Sequence, residues 1–321
     1  MWDSVSHRDR NPACCDCVLR QRAGSPSSRH VSPARGGRSV VWTIYVLSLV
    51  ALALALVSGY VWFRSRQVDR EHRGMAAELM AAARREDSEL VTKAHYESLP
   101  APVRRYLALV IPEGRSRVRR VRFTQTGVFR TREQPEQWGP FRAVQHVATS
   151  PPGFVWDATI RMAPLLSARV VDSYIEGAGL LRARLLGVFT VADASGPEAD
   201  SGEMMRYLAE AIWYPTALVP DEWLRWQAVD ERSAIAVLTD GGQEVALKFF
   251  FDDEGLVSHF EAERFRIEKG RCRKVPWRAY CSGYTVRGGF RVPREARVAW
   301  RLPEGELEYF RGRIENIEYD P

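Results

Sequence analysis

Residues 121–129 read VRFTQTGVF, with apolar and polar side chains alternating along them. Val121, Phe123, Gly127 and Phe129 share one face and Arg122, Thr124, Thr126 and Arg130 the other, the period of two that a half-buried strand requires. FVWDATIRM, residues 154–162, repeats the pattern. It puts Phe154, Trp156, Ala158, Ile160 and Met162 inward and leaves Asp157, Thr159 and Arg161 opposite. The same reading predicts strands at Arg142 to Thr149, Ala168 to Glu176, Leu180 to Val191, Leu224 to Asp230 and Ser233 to Leu238. Asp240-Gly241-Gly242, Asp252-Asp253-Glu254-Gly255 and Pro303-Glu304-Gly305 are turn sequences at short intervals, as an antiparallel meander needs. Asp240-Gly241-Gly242 is expected to join two antiparallel strands, because glycine accepts the positive φ of a tight hairpin.

One helix interrupts the strands, in SGEMMRYLAEAIWYPTALVP. Asp200 and Glu203 stand at capping-box spacing, Met204, Leu208 and Ala211 form one stripe, and Pro215 stops the helix. Upstream, Asp87 or Ser88 can cap a short helix that Pro100 ends, and Pro102 suits the first turn of a second, PVRRYLALV, closed by Pro112 and Gly114. These elements describe an α+β domain over 86–321: a curved antiparallel β-sheet, a half-barrel or open barrel, with a few flanking helices.

Before it, Val40 to Phe63 is 24 residues without a charge, where about 20 span the hydrocarbon of a bilayer. Trp42, Tyr45, Tyr60 and Trp62 fall near its ends, where amphipathic rings favour the membrane interface. The segment therefore predicts an uncleaved single-pass transmembrane helix, a signal anchor. Within 20 residues it is flanked by Arg20, Arg22, Arg29, Arg35 and Arg38 on one side and Arg64, Arg66, Arg70 and Arg73 on the other. The insertion mode of a short basic tail then sets the expected topology, N-terminus inside and globular domain extracytoplasmic. Residues 1–39 read as a disordered basic tail, and residues 64–85, polar and alanine-rich, as an exposed helical stalk, a spacer rather than a site.

The composition, 45% hydrophobic with 10 Trp, 11 Tyr and 13 Phe, supplies a packed core and argues against disorder. The net charge of +6 does not make a nucleic-acid protein: seven Arg against three Asp lie in the first 39 residues, and the rest are scattered. Cys14, Cys15 and Cys17 lack partners at metal-ligand spacing. A turn at Pro276 and Trp277 would set Cys272 and Cys281 across a hairpin, as two buried thiols or a disulfide. No phosphate loop, nucleophile elbow or HExxH occurs, the six His are dispersed, and no cofactor or metal site is read.

RYLAEAIWYPTALVP, Arg206 to Pro220, resembles an uncharacterised family of bacterial membrane-anchored proteins built on a domain of unknown function. The resemblance extends through LPAPVRRYL, PGFVWDA, VDSYIEGAGLL, FFFDDEGLV and PEGELEYFRG. It implies no activity, substrate or catalytic residues. By analogy of fold it implies a half-barrel similar to bacterial lipoprotein carriers.

The candidate site residues are the polar ones set in apolar motifs: Asp157, Asp172 with Tyr174, and Arg206 with Glu210 beside Trp213. They would converge at a cavity mouth, or Arg206 would pin the helix to the sheet through Asp157, Asp172 or Glu210. The leading expectation is a non-catalytic, membrane-anchored domain whose curved sheet binds a lipid or other apolar small molecule. The alternatives are a hydrolase working through Asp157, Asp172 or Glu210, and a structural or partner-binding ectodomain.

Overall fold

The computed structural model describes residues 36–83, 89–268 and 271–320. The basic tail up to residue 35, with Cys14, Cys15 and Cys17, and the cap expected at Asp87 or Ser88, lie outside them. The chain divides into two units, Met1–Leu54 and Ala55–Pro321. In the first, the described residues are helical, and Val40 to Leu54 are exposed. They belong to α1, Gly36–Ala82, an unbroken helix.

In the second unit, helix α2 (Ala101–Val110) starts with Pro102 in its first turn, where a missing N–H costs nothing. The separate helix expected before Pro100 is not formed. The described residues there make the two-residue strand β1 (Leu90–Val91), paired with β2 (Arg115–Ser116), and a 3-10 turn at Lys93–His95.

The main sheet has thirteen strands: β3 (Arg120–Arg132), β4 (Gln137–Thr149), β5 (Pro152–Ala163), β6 (Leu166–Ile175), β7 (Ala178–Leu185), β8 (Phe189–Ser195), β9 (Leu224–Ala228), β10 (Ser233–Asp240), β11 (Gln243–Phe251), β12 (Val257–Glu268), β13 (Arg271–Ser282), β16 (Glu295–Leu302) and β17 (Gly305–Tyr319). A small hairpin, β14 (Thr285–Arg287) with β15 (Phe290–Val292), stands apart. The order is β8-β7-β6-β5-β4-β3-β17-β16-β13-β12-β11-β10-β9, antiparallel throughout. It is two meanders joined where β3 meets β17, and it curls into a half-barrel. The hairpin at Asp240 to Gln243 forms as expected, with both glycines at positive φ.

Helix α3 (Pro197–Glu210) lies on the concave face, against β5 to β8 from one arm and β10 to β12 from the other. Met204 and Leu208 are fully buried there. The two arms also touch without it. Tyr174 donates to Asp240 Oδ2 at 2.8 Å, and a Cβ on Gly177 would stand 2.8 Å from Gly241 Cα, so only glycine fits where the β6–β7 and β10–β11 turns meet.

Four further expectations are corrected. Residues 180–191 are not one strand, because Leu186 and Gly187, both at positive φ, fold them into the β7–β8 hairpin. Asp200 and Glu203 do not cap α3, which begins three residues earlier at Pro197; Asp200 instead accepts from the Gly179 N–H at 2.7 Å. Cys272 and Cys281 are free and lie on the single strand β13, with Pro276 opposite Glu263, so no hairpin brings them together. Finally, the stretch expected as an exposed stalk is buried along one side. Val68, His72, Ala76, Leu79 and Ala83 face the convex side of the sheet, the last three packing with Ala148, Val155 and Val171. Burying a side chain such as Leu79 is worth about 1.5 to 3 kcal/mol.

Candidate functional site

The concave face encloses a cavity of about 580 Å³. Its walls are the inward residues of the sheet: Trp156, Ile160 and Met162 from β5, Val170 from β6, Phe260 from β12, Trp277 from β13, Trp300 from β16, and Tyr309 and Phe310 from β17. The period of two supplies most of them, since every second residue of a strand points the same way; the consecutive Tyr309 and Phe310 both line the cavity where the β16–β17 register shifts between Val298 and Ala299. The rings lock one another: Phe141 meets Trp156 edge-on at 5.7 Å and stacks on Phe310 at 5.2 Å.

One polar stripe interrupts the apolar wall. Glu203, Arg206 and Glu210 of α3 are spaced i, i+3, i+7, so they share a side of the helix, and all three line the cavity. Arg206 is tied on every side. It donates to Asp172 of β6, to Glu210 Oε1 at 2.9 Å and to Gln145 Oε1 at 3.3 Å, while Gln145 in turn donates to Glu210. Its guanidinium also lies 4.9 Å from the ring centres of both Phe154 and Trp156. Burial disfavours the cation, but Glu210, Asp172 and Glu203 outweigh it, and Arg206 stays charged.

Glu203 is the opposite case. Burial first, and then the Asp172 carboxylate, push it well above the usual carboxylate range, although Arg264 and Arg206 pull the other way. Its protonated form is favoured there. Asp172 Oδ1 and Glu203 Oε2 are buried without a hydrogen-bond partner. Arg264 completes the group, donating to the Gly202 carbonyl at 2.7 Å and lying 4.9 Å from the Trp277 ring. The cluster joins three carboxyl groups and two guanidinium groups, and its bonds are mostly internal.

Of the residues singled out in the sequence, Asp172, Arg206, Glu210 and Trp213 come together. Trp213 lines the cavity and donates through Nε1 to the Pro293 carbonyl at 3.0 Å. Tyr174 shares the inward face but is spent on Asp240, and it does not line the cavity. Asp157 does not converge with them. It faces the convex side, where His72 Nδ1 of α1 lies 2.8 Å from Oδ1 and Arg169 donates to the same oxygen at 2.8 Å. Burial raises the Asp157 carboxyl, but these two partners overcome it and hold it below the usual range. A hydrolytic set that includes both Asp157 and Asp172 is therefore not assembled.

Sequence reasoning missed Glu203, Gln145, Arg264 and, outside the cavity, His72. The Glu203, Arg206, Glu210 spacing was the available signal for the first; Gln145 and Arg264 carry none, because only sheet curvature brings them to the helix. Among the described residues, no group of three or more His, Cys, Asp or Glu is placed to hold a metal ion.

Residues 97–319 match a family of unknown function, DUF6920. No curated protein matches the chain. Two solved structures show a distant likeness. A LolA superfamily protein from Nitrosomonas europaea is 9% identical with a TM-score of 0.33, over 70% of this chain and 95% of that one. A beta-barrel-like protein of the DUF1849 domain of unknown function from Brucella abortus is 8% identical with a TM-score of 0.28, over 64% of this chain and 99% of that one. Both are too remote to bear on function.

Proposed function

We propose, for a chain that belongs to the DUF6920 family, that the concave cavity holds one apolar or amphipathic small molecule and that the protein is a membrane-anchored, non-catalytic binder. The observation that carries this reading is the aromatic-walled space of about 580 Å³, within the ~300 to 1,000 Å³ of ligand pockets. The polar stripe supports it by its internal pairing. Arg206, Asp172 and Glu210 bind one another and leave little free to act as reagents, so they position the helix that floors the cavity.

The anchor is the uncharged run Val40 to Phe63, which is exposed through nearly all its length. A helix satisfies its own backbone, the condition for crossing lipid. On this reading 40–63 spans the bilayer, the globular part is extracytoplasmic, and the ligand is drawn from lipid-like molecules nearby.

Native mass spectrometry of the full chain, extracted in mild detergent, tests the proposal. A bound amphiphile is expected, and it should be lost when Ala279→Trp fills the cavity without disturbing the polar stripe. Absence of any adduct, together with no uptake of the apolar fluorophore N-phenylnaphthylamine, would overturn it.

A further inference from the structure

Large apolar side chains project into solvent at one end of the sheet. Leu165, at the tip of the β5–β6 hairpin, is completely exposed, and Phe189 and Val191, just beyond the β7–β8 turn, are each more than half exposed. Single exposed apolar residues need no explanation, but these stand on adjacent turns. The Leu186 N–H donates to the Ser167 carbonyl at 2.9 Å, which holds the two tips side by side.

The same tips are fastened to α1. Ser65 Oγ donates to the Leu186 carbonyl at 3.3 Å, and a Cβ on Gly187 would stand 3.0 Å from Ser65 Cα, so the turn is packed directly on the helix there. Ser65 lies two residues beyond Phe63, where the uncharged run ends, ~3 Å along the axis. Tyr60, Trp62 and Phe63 just before it are exposed, as rings at a lipid boundary are. On its other side Val191 lines the cavity.

We propose that the β5–β6 and β7–β8 tips rest on the bilayer, with Leu165, Phe189 and Val191 seated at the boundary of headgroups and acyl chains. The proposal rests on the reading of Val40 to Phe63 as membrane-spanning. A run that ends at Phe63 sets the edge of the hydrocarbon there, and a turn bonded to Ser65 is carried to that edge. The occupant of the apolar tips is therefore the membrane itself. Val191 belongs to both surfaces, so one wall of the cavity meets the lipid from which a ligand would enter.

The test uses the full chain in phospholipid nanodiscs, with Cys14, Cys15, Cys17 and Cys272 replaced by Ser and a bimane label on Leu165→Cys or, separately, Phe189→Cys. Glu113→Cys, exposed beyond α2, is the control. Lipids carrying a nitroxide near the headgroup should quench either tip label at least twofold more than the control, and aqueous iodide should quench it less. Tip labels that behave like the control, in a chain that alkaline carbonate leaves in the membrane, would overturn the docking while the anchor stands. Release of the chain by carbonate would overturn the anchor and the docking together. Ligand content, read by native mass spectrometry, is independent of either result.

Discussion

Replacing Arg206 by Ala removes, among the described residues, the only cation bonded to both Asp172 and Glu210, whose side chains are 9% and 13% exposed. The two carboxylates then face burial without it, and Gln145 loses a donor. Breaking a buried pair in this way costs about 3 to 5 kcal/mol, whereas an exposed helical pair at the same i, i+4 spacing is worth only about 0.3 to 0.5 kcal/mol. For a unit of this size, about 2 to 4 °C per kcal/mol gives a fall in Tm of about 6 to 20 °C. Tryptophan fluorescence of the detergent-solubilised chain in urea reads it directly, since Trp156 and Trp213 line the same cavity. Adding Asp172→Asn and Glu210→Gln should return most of the loss, because the buried charge is removed with its partner. A shift below about 1 kcal/mol for Arg206→Ala would refute the claim that the cluster pins α3 to the sheet.

Glu203→Gln should leave stability unchanged below about pH 4.5, the ordinary value for this carboxyl, where wild-type Glu203 is protonated folded and unfolded alike. Above it the unfolded chain releases the proton that the folded chain keeps, so wild-type stability falls by up to about 1.4 kcal/mol per pH unit until the raised folded value is reached. The Gln variant, which cannot ionise, lacks that fall; parallel urea midpoints for the two proteins from pH 4.5 to 8 would contradict the assignment. His72→Ala should cost about 1 to 3 kcal/mol and act locally, because it strips a buried partner from Asp157. Hydrogen exchange should quicken over residues 68–83 before it does in β3 to β5, and a uniform change would count against α1 being held there by this contact.

The strands of the first meander were legible because one face is buried and the other is not. Phe123, Phe154 and Trp156 are within 4% of full burial, and their neighbours Arg122 and Asp157 are only partly buried. The β7–β8 turn was hidden because a leucine adopts the left-handed conformation before Gly187, where Asn or Asp would have announced it. The buried side of α1 was hidden for a different reason. Val68, His72, Ala76, Leu79 and Ala83 follow helical spacing, but three of the five are histidine or alanine, which leave little apolar contrast. Asp157 shows a conflict inside the sequence reading itself. Its alternation with Trp156 already placed it away from the cavity, and grouping it with Asp172 ignored that period. Asp172, Tyr174 and Arg206 were legible as buried polar residues, while their pairing depends on curvature that no local pattern records.

The seam between β3 and β17 has a consequence for how the protein is made. Arg122 and Glu318 face each other there across 196 positions of sequence, whereas within each meander most strands pair with the next in line. During synthesis β3 to β8 can fold onto themselves as they emerge, but β3 then waits with a row of unpaired N–H and C=O groups until β17 arrives. For that interval the growing chain displays a long open strand edge, the surface that recruits neighbouring chains into aggregates. Arg120, Arg122, Arg130 and Arg132 lie along it. Charge on such an edge discourages pairing with another copy, so these arginines guard the nascent chain during the time its own last strand is missing.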